Sequence, residues 1–97
     1  MKPMTLIHHF QANVEEEEIF FNAWKTVHQY MEKQKGFIEA KLHRSLNHED
    51  LTKCSFVNIA FWESPESFRT AINNDKFRLL AKDVLRFSRG HELYEVF

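Results

Sequence analysis

Asn58 and Trp62 stand four positions apart in the stretch CSFVNIAFWESPESF, and together they form the strongest chemical signal in the chain. If the stretch is a strand, alternation of side chains puts both residues on one face. An amide in that position can hydrogen-bond a ligand's polar atoms, while an indole supplies apolar contact and one N–H. Asn58 is open to two readings, a core amide satisfied by neighbouring backbone or a group aimed at a ligand. Trp62 alone reads as a core anchor beneath a helix, and its pairing with Asn58 strengthens the ligand reading. A pocket built this way is mostly apolar with few polar groups, which suits a flat aromatic molecule.

Six histidines offer further chemistry. His8 and His9 are consecutive on a short apolar-rich segment and so face opposite sides, leaving at most one to join His43 or His91. His28 falls in a helical pattern and His48 in a turn. Ligand-like spacings are absent, so no metal site is expected. His8 and His43 are candidate general bases, because an unperturbed imidazole titrates near neutrality. Cys54, the single cysteine, has no neighbouring base and reads as a small hydrophobe at a strand end.

Elements that would position these residues follow from the hydrophobic pattern. Met4–Ala12 is short, apolar-rich and β-branched, as a strand should be. Asn13 with Glu16 fits a capping box, and four glutamates suit the positive end of a helix running from about Val14 to Lys35. Along that helix Phe20, Ala23, Trp24, Val27, Tyr30 and Met31 form one apolar face. In GFIEAKLHRSL, Ile38, Ala40 and Leu42 alternate with Glu39, Lys41 and His43, giving a second strand. NHED is a turn, and Cys54–Trp62 is a third strand covered on both faces. Ser64 and Pro65 start a second helix, interrupted at NND and recapped by Asp75. SRG then turns the chain into a last strand, HELYEVF. The order β-α-β-β-α-β is that of the α+β ferredoxin-like fold, a four-stranded antiparallel sheet with helices on one face. Val57, Ile59 and Phe61 on the other face call for a partner, and a homodimer joined through that sheet face is expected.

Composition sets the outer bounds. Ninety-seven residues, 43% hydrophobic with ten phenylalanines, two glycines and two prolines, predict one domain over residues 1–97 with little irregular structure. A net charge of −1 leaves no electrostatic footprint for nucleic acid. Neither a signal peptide nor a membrane-spanning run is evident, and a cytoplasmic location with no membrane partner is expected. The absence of a nucleotide-binding glycine loop speaks against NAD or flavin bound in that manner.

Through MTLIHHF, QKGFIEAKLHRSLN, FVNIAFWESPESFRTAINNDKFRLLAKD and HELYEVF the chain resembles the antibiotic biosynthesis monooxygenase family of the dimeric α+β barrel superfamily. The resemblance implies oxidation of a small or polycyclic phenol or hydroquinone by O₂ without flavin, metal or heme. In the branch acting on polycyclic phenols, an asparagine and a tryptophan four residues apart match Asn58 and Trp62. A tyrosine of that branch falls on Phe68 and an arginine near Lys82, so that His8, Phe68 and Lys82 become candidate substrate contacts and His43 a candidate catalytic group. The asparagine, tryptophan and histidine of the heme-degrading branch fall on His8, Ala71 and Ala81, which argues against that activity. Two other readings stand beside the oxygenase: a non-catalytic dimer that binds a small molecule or responds to stress, and a heme-binding protein using His8 or His43.

Overall fold

A computed structural model describes residues 2–47 and 50–97; His48 and Glu49 of the expected NHED turn lie outside the described residues. Strand β1 (Met4–Asn13) leads through a 3₁₀ turn (Val14–Glu16) into helix α1 (Glu17–Met31). Strands β2 (Phe37–Arg44) and β3 (Lys53–Trp62) follow, then helices α2 (Pro65–Ile72) and α3 (Asp75–Leu85) and strand β4 (Ser88–Glu95). The strands pair antiparallel in the order β2-β3-β1-β4. This is the α+β ferredoxin-like arrangement, with its second helical segment broken in two.

Local chemistry accounts for the element ends. Ser64 Oγ accepts the Ser67 N–H (3.2 Å) and Pro65 opens α2, as expected. For α3 the cap is Asn74, not Asp75: the Asn74 backbone is extended and its Oδ1 accepts the Phe77 N–H at 2.8 Å. Asp75 sits in the first turn instead and pairs with Arg78. The capping box at Asn13 does not form. Its Oδ1 accepts from Lys53 Nζ (2.9 Å) across the sheet, and a 3₁₀ turn takes the chain into α1. Glu16 and Glu17 of the acidic run pair with Arg86 and Arg44, and Glu17 and Glu18 occupy the first turn, where they complement the helix dipole.

Helix α1 ends at Met31, four residues before the expected Lys35, and the chain turns through Gly36. There φ is +89° and a Cβ would come within 2.4 Å of the Ser67 side chain, so only glycine lets β2 start against α2. Strand β2 also departs from simple alternation. A bulge between Phe37 and Glu39 sets Phe37 opposite Trp62 and Glu39 opposite Phe61. Phe37 therefore joins Ala40 and Leu42 on the inner face, while Ile38, expected there, is 54% exposed. Ser88–Gly90, expected as a turn, is already strand, and the register slips between His8 and Phe10 where Gly90 adopts φ +111°.

All three helices cover one face of the sheet. Beneath them lie two buried clusters. One holds Phe10, Phe20, Phe56, Ala81, Val84 and Phe87; the other holds Met4, Leu6, Ala60, Trp62, Phe68 and Ala71. Their aromatic rings meet in tilted and edge-on pairs, with centroids 4.6 Å apart for Phe20–Phe56 and 5.6 Å for Trp62–Phe68. Tyr30 fastens the helical layer: its hydroxyl donates to the Ala71 carbonyl (2.7 Å) and accepts from Asn74 Nδ2 (2.8 Å). Among the described residues no helix is long and apolar enough to cross a membrane.

Candidate active site

Between the sheet and the helices lies a cavity of about 220 Å³. Strand parity decides which side chains reach it. Register pairs His8 of β1 with Asn58 of β3 on one side and with His91 of β4 on the other. The result is a row Asn58–His8–His91 across three neighbouring strands, all lining the cavity. Two residues further along β3, Ala60 leaves space, and Trp62 closes the wall at 1% exposure. Trp62 meets Phe37 edge-on at 5.4 Å and Phe68 at 5.6 Å, so its ring is held in a fixed plane.

Asn58 carries the unusual feature. Its Oδ1 is buried and has no hydrogen-bond partner among the described residues. An orphaned acceptor of this kind costs about 1–3 kcal/mol, a cost that a ligand bearing an O–H or N–H would remove. The satisfied-core reading of Asn58 is thus set aside for its acceptor.

His8 is the best-defined titratable group on the wall. Its Nε2 lies 2.8 Å from Ser88 Oγ, which also accepts the Gly90 N–H at 3.3 Å. The ring stacks on Phe10 at 4.1 Å and lies 5.1 Å from the ring of His91. Burial first, then the like charges of His91 and His9, hold its pKa down to about 4. At neutral pH His8 is therefore uncharged, with Nδ1 left free by the contact to Ser88.

The structure brings together Asn58, Trp62, His8 and Phe68 of the expected residues, all on the cavity wall. It separates the other two. His43 pairs with Val57, one position out of phase with Asn58, so it projects from the opposite face of the sheet and is exposed. Lys82 is exposed on α3, where neighbouring Ala81 and Val84 turn inward. Neither His43 nor Lys82 joins this cavity. His28 and His91 do, although sequence reasoning left them without a role. His28 stacks on Trp24 (4.7 Å, 14°) one helical turn away, a neighbour relation readable from the i, i+4 spacing. The position of His91 depends on the β1–β4 register, which slips at the very residues concerned.

A four-stranded antiparallel sheet covered on one face by helices, with a mostly apolar cavity beneath them, defines an α+β protein of the ferredoxin-like class. The family follows from the sequence: residues 3–83 match the model of the antibiotic biosynthesis monooxygenase family, and the chain belongs to it. No curated protein matches. Among solved structures, SnoaB of Streptomyces nogalater, a cofactor-independent oxygenase, superposes with TM-score 0.82 at 22% identity over 100% of this chain and 95% of that one. A candidate monooxygenase of Shewanella loihica shares 25% identity (TM-score 0.76; 99% and 95% of the two chains). A conserved protein of Methanosarcina mazei shares 18% (TM-score 0.79; 97% and 92%).

Two outcomes are expected from the wall as built. Replacing Asn58 with leucine removes the orphaned acceptor at nearly constant volume and is expected to raise stability by about 1 kcal/mol in urea unfolding; a loss of that size would show that the amide is satisfied in the folded protein. Because the pKa of His8 is about 4 in the fold against an ordinary 6.5, the unfolded chain takes up this proton first on acidification. The contribution of neutral His8 is complete above about pH 6.5 and is lost as pH falls towards about 4. Wild type and His8→Gln, compared in urea across that interval, are expected to show a steeper pH dependence for wild type; parallel curves would contradict the assignment.

Proposed function

We propose that the protein oxidises a small electron-rich phenol or hydroquinone with O₂, using the side chains of this cavity. The observation that carries the reading is the buried, unpartnered Oδ1 of Asn58 in an aromatic pocket that also holds Trp62 and an uncharged histidine. Membership of a monooxygenase family supports it. In this scheme Asn58 Oδ1 receives the entering hydroxyl, the proton leaves through His8 Nδ1 to solvent, His8 acting as a relay because its pKa of about 4 does not retain it, and the amide Nδ2–H donates to the oxyanion that forms. The anion passes one electron to O₂; the ring radical and superoxide then join through a new C–O bond to a peroxide. Breakage of the O–O bond with loss of the ring C–H proton leaves a carbonyl, and the other oxygen departs as water. Trp62 and Phe68 keep the ring flat against the wall and water out.

A second reading, a non-catalytic binding protein with the same pocket, is favoured by Phe68. A phenyl ring stands where a proton-transferring group on α2 would face Trp62. Oxygen uptake by the metal-stripped protein over a panel of hydroquinones separates the two. The oxygenase reading expects uptake that falls at least about tenfold, or 1.4 kcal/mol in barrier, in both Asn58→Ala and His8→Gln. Ligand binding without uptake in wild type would leave the binding module.

The uncovered sheet face supports a homodimer. Ile7, Val57, Ile59 and Phe61 line it, partly exposed, and among the described residues no helix lies across them. Sedimentation equilibrium is expected to give twice the 11.7 kDa chain mass, reduced to a single chain by Phe61→Lys; a monomeric wild type would refute this interface.

A further inference from the structure

The cavity's size and the distribution of its polar atoms restrict what can enter it, and this restriction deepens the oxygenase reading, on which it rests. Pockets that swallow drug-sized molecules measure about 300–1,000 Å³. A closed apolar cavity of about 150 Å³ holds one benzene ring. At about 220 Å³ this cavity lies between the two, nearer the lower mark. Its walls leave little slack, because Trp62, Phe37 and Phe68 fix one another edge-on and Phe77 is packed against Tyr30 with centroids 6.0 Å apart. Enlarging such a space means moving several rings together, not rotating one side chain.

Charge narrows the choice further. Among the described residues no lysine, arginine or carboxylate lines the cavity. The lining side chains able to hydrogen-bond are one amide, three imidazoles and two indoles, none of them a permanent cation, and His8 among them is uncharged at neutral pH. An aromatic carboxylate would surrender its hydration with no cation to replace it, whereas a neutral O–H meets the waiting Oδ1 of Asn58.

We propose that the cavity accepts neutral phenols of one or two fused rings and rejects both three-ring systems and aromatic carboxylates. The ring lies against Trp62 and Phe68, and its hydroxyl reaches the Asn58–His8 pair on the sheet.

Trp24 and Trp62 both line the space, so their fluorescence reports occupancy without any turnover. Titration of the 97-residue chain under argon with phenol, 1-naphthol, 1-anthrol and 1-naphthoate is expected to rank 1-naphthol tightest. 1-Anthrol should bind on the order of tenfold more weakly or worse, and 1-naphthoate at neutral pH should cause no saturable quenching. Asn58→Leu should weaken 1-naphthol on the order of tenfold, as its partner is lost. Ile72→Ala and Phe77→Ala, each verified as folded by circular dichroism, should let 1-anthrol approach the affinity of 1-naphthol; either variant suffices. Equal binding of 1-anthrol and 1-naphthol by wild type, saturable binding of 1-naphthoate, or binding of none of the four would overturn the proposal. Because oxygen is excluded, a correct ranking with no later oxygen uptake would reject the oxygenase reading while leaving the size limit intact.

Discussion

Strand β1 is one of the two central strands on which the rest of the structure depends: like β3 it is hydrogen-bonded along both edges, to β3 on one side and β4 on the other. Its register therefore decides two things at once. A shift of one residue against β3 would send Asn58 and Trp62 to the uncovered face and bring Val57 and Phe61 under the helices. The apolar residues Leu6, Phe10, Phe56, Ala60 and Trp62, all buried beneath the helical layer, oppose such a slip. Each large ring buried there contributes on the order of 2–3 kcal/mol, far more than the exposed ion pairs around Glu16 and Glu17. Hydrophobic parity holds the strand, and the polar row is carried into place by it.

That packing also explains how an incompletely satisfied site can persist. The two aromatic clusters close around the cavity without filling it, and the fold tolerates an unmade hydrogen bond at Asn58 because the surrounding rings are anchored among themselves. Small residues at Ala60 and Ala81 keep the space open between larger neighbours. His8 is held differently, by a hydroxyl on the edge strand and a phenyl ring beneath it. Sites of this kind trade some stability for readiness.

Much of this was legible in the sequence. Element order, the α2 cap at Ser64, the shared face of Asn58 and Trp62 and the inward turn of Phe68 follow from periodicities and caps that local rules describe. The departures have local causes too. Asn13 had two possible partners, a helix N–H or the ammonium of Lys53, and cross-strand pairing decided between them. Asn74 and Asp75 are adjacent equals as caps, and only the extended backbone of Asn74 chose. Ile38 and Phe37 exchanged faces through a bulge that no composition rule marks. The inward row was half visible: His8 was found by type, but His91 needed a register and His28 needed the stacking on Trp24. His43 and Lys82 were suggested by family likeness and by chemistry, and one is out of phase on its strand while the other sits on the wet side of its helix.

Alternation along β3 also keeps two surroundings apart. Asn58, Ala60 and Trp62 answer to whatever occupies the interior, and Val57, Ile59 and Phe61, interleaved with them, answer to whatever meets the outside of the sheet. Adjacent positions thus answer to different surroundings. Substitutions at one parity of this ten-residue strand reshape the interior cavity and leave the outer sheet face as it was, and substitutions at the other parity do the reverse.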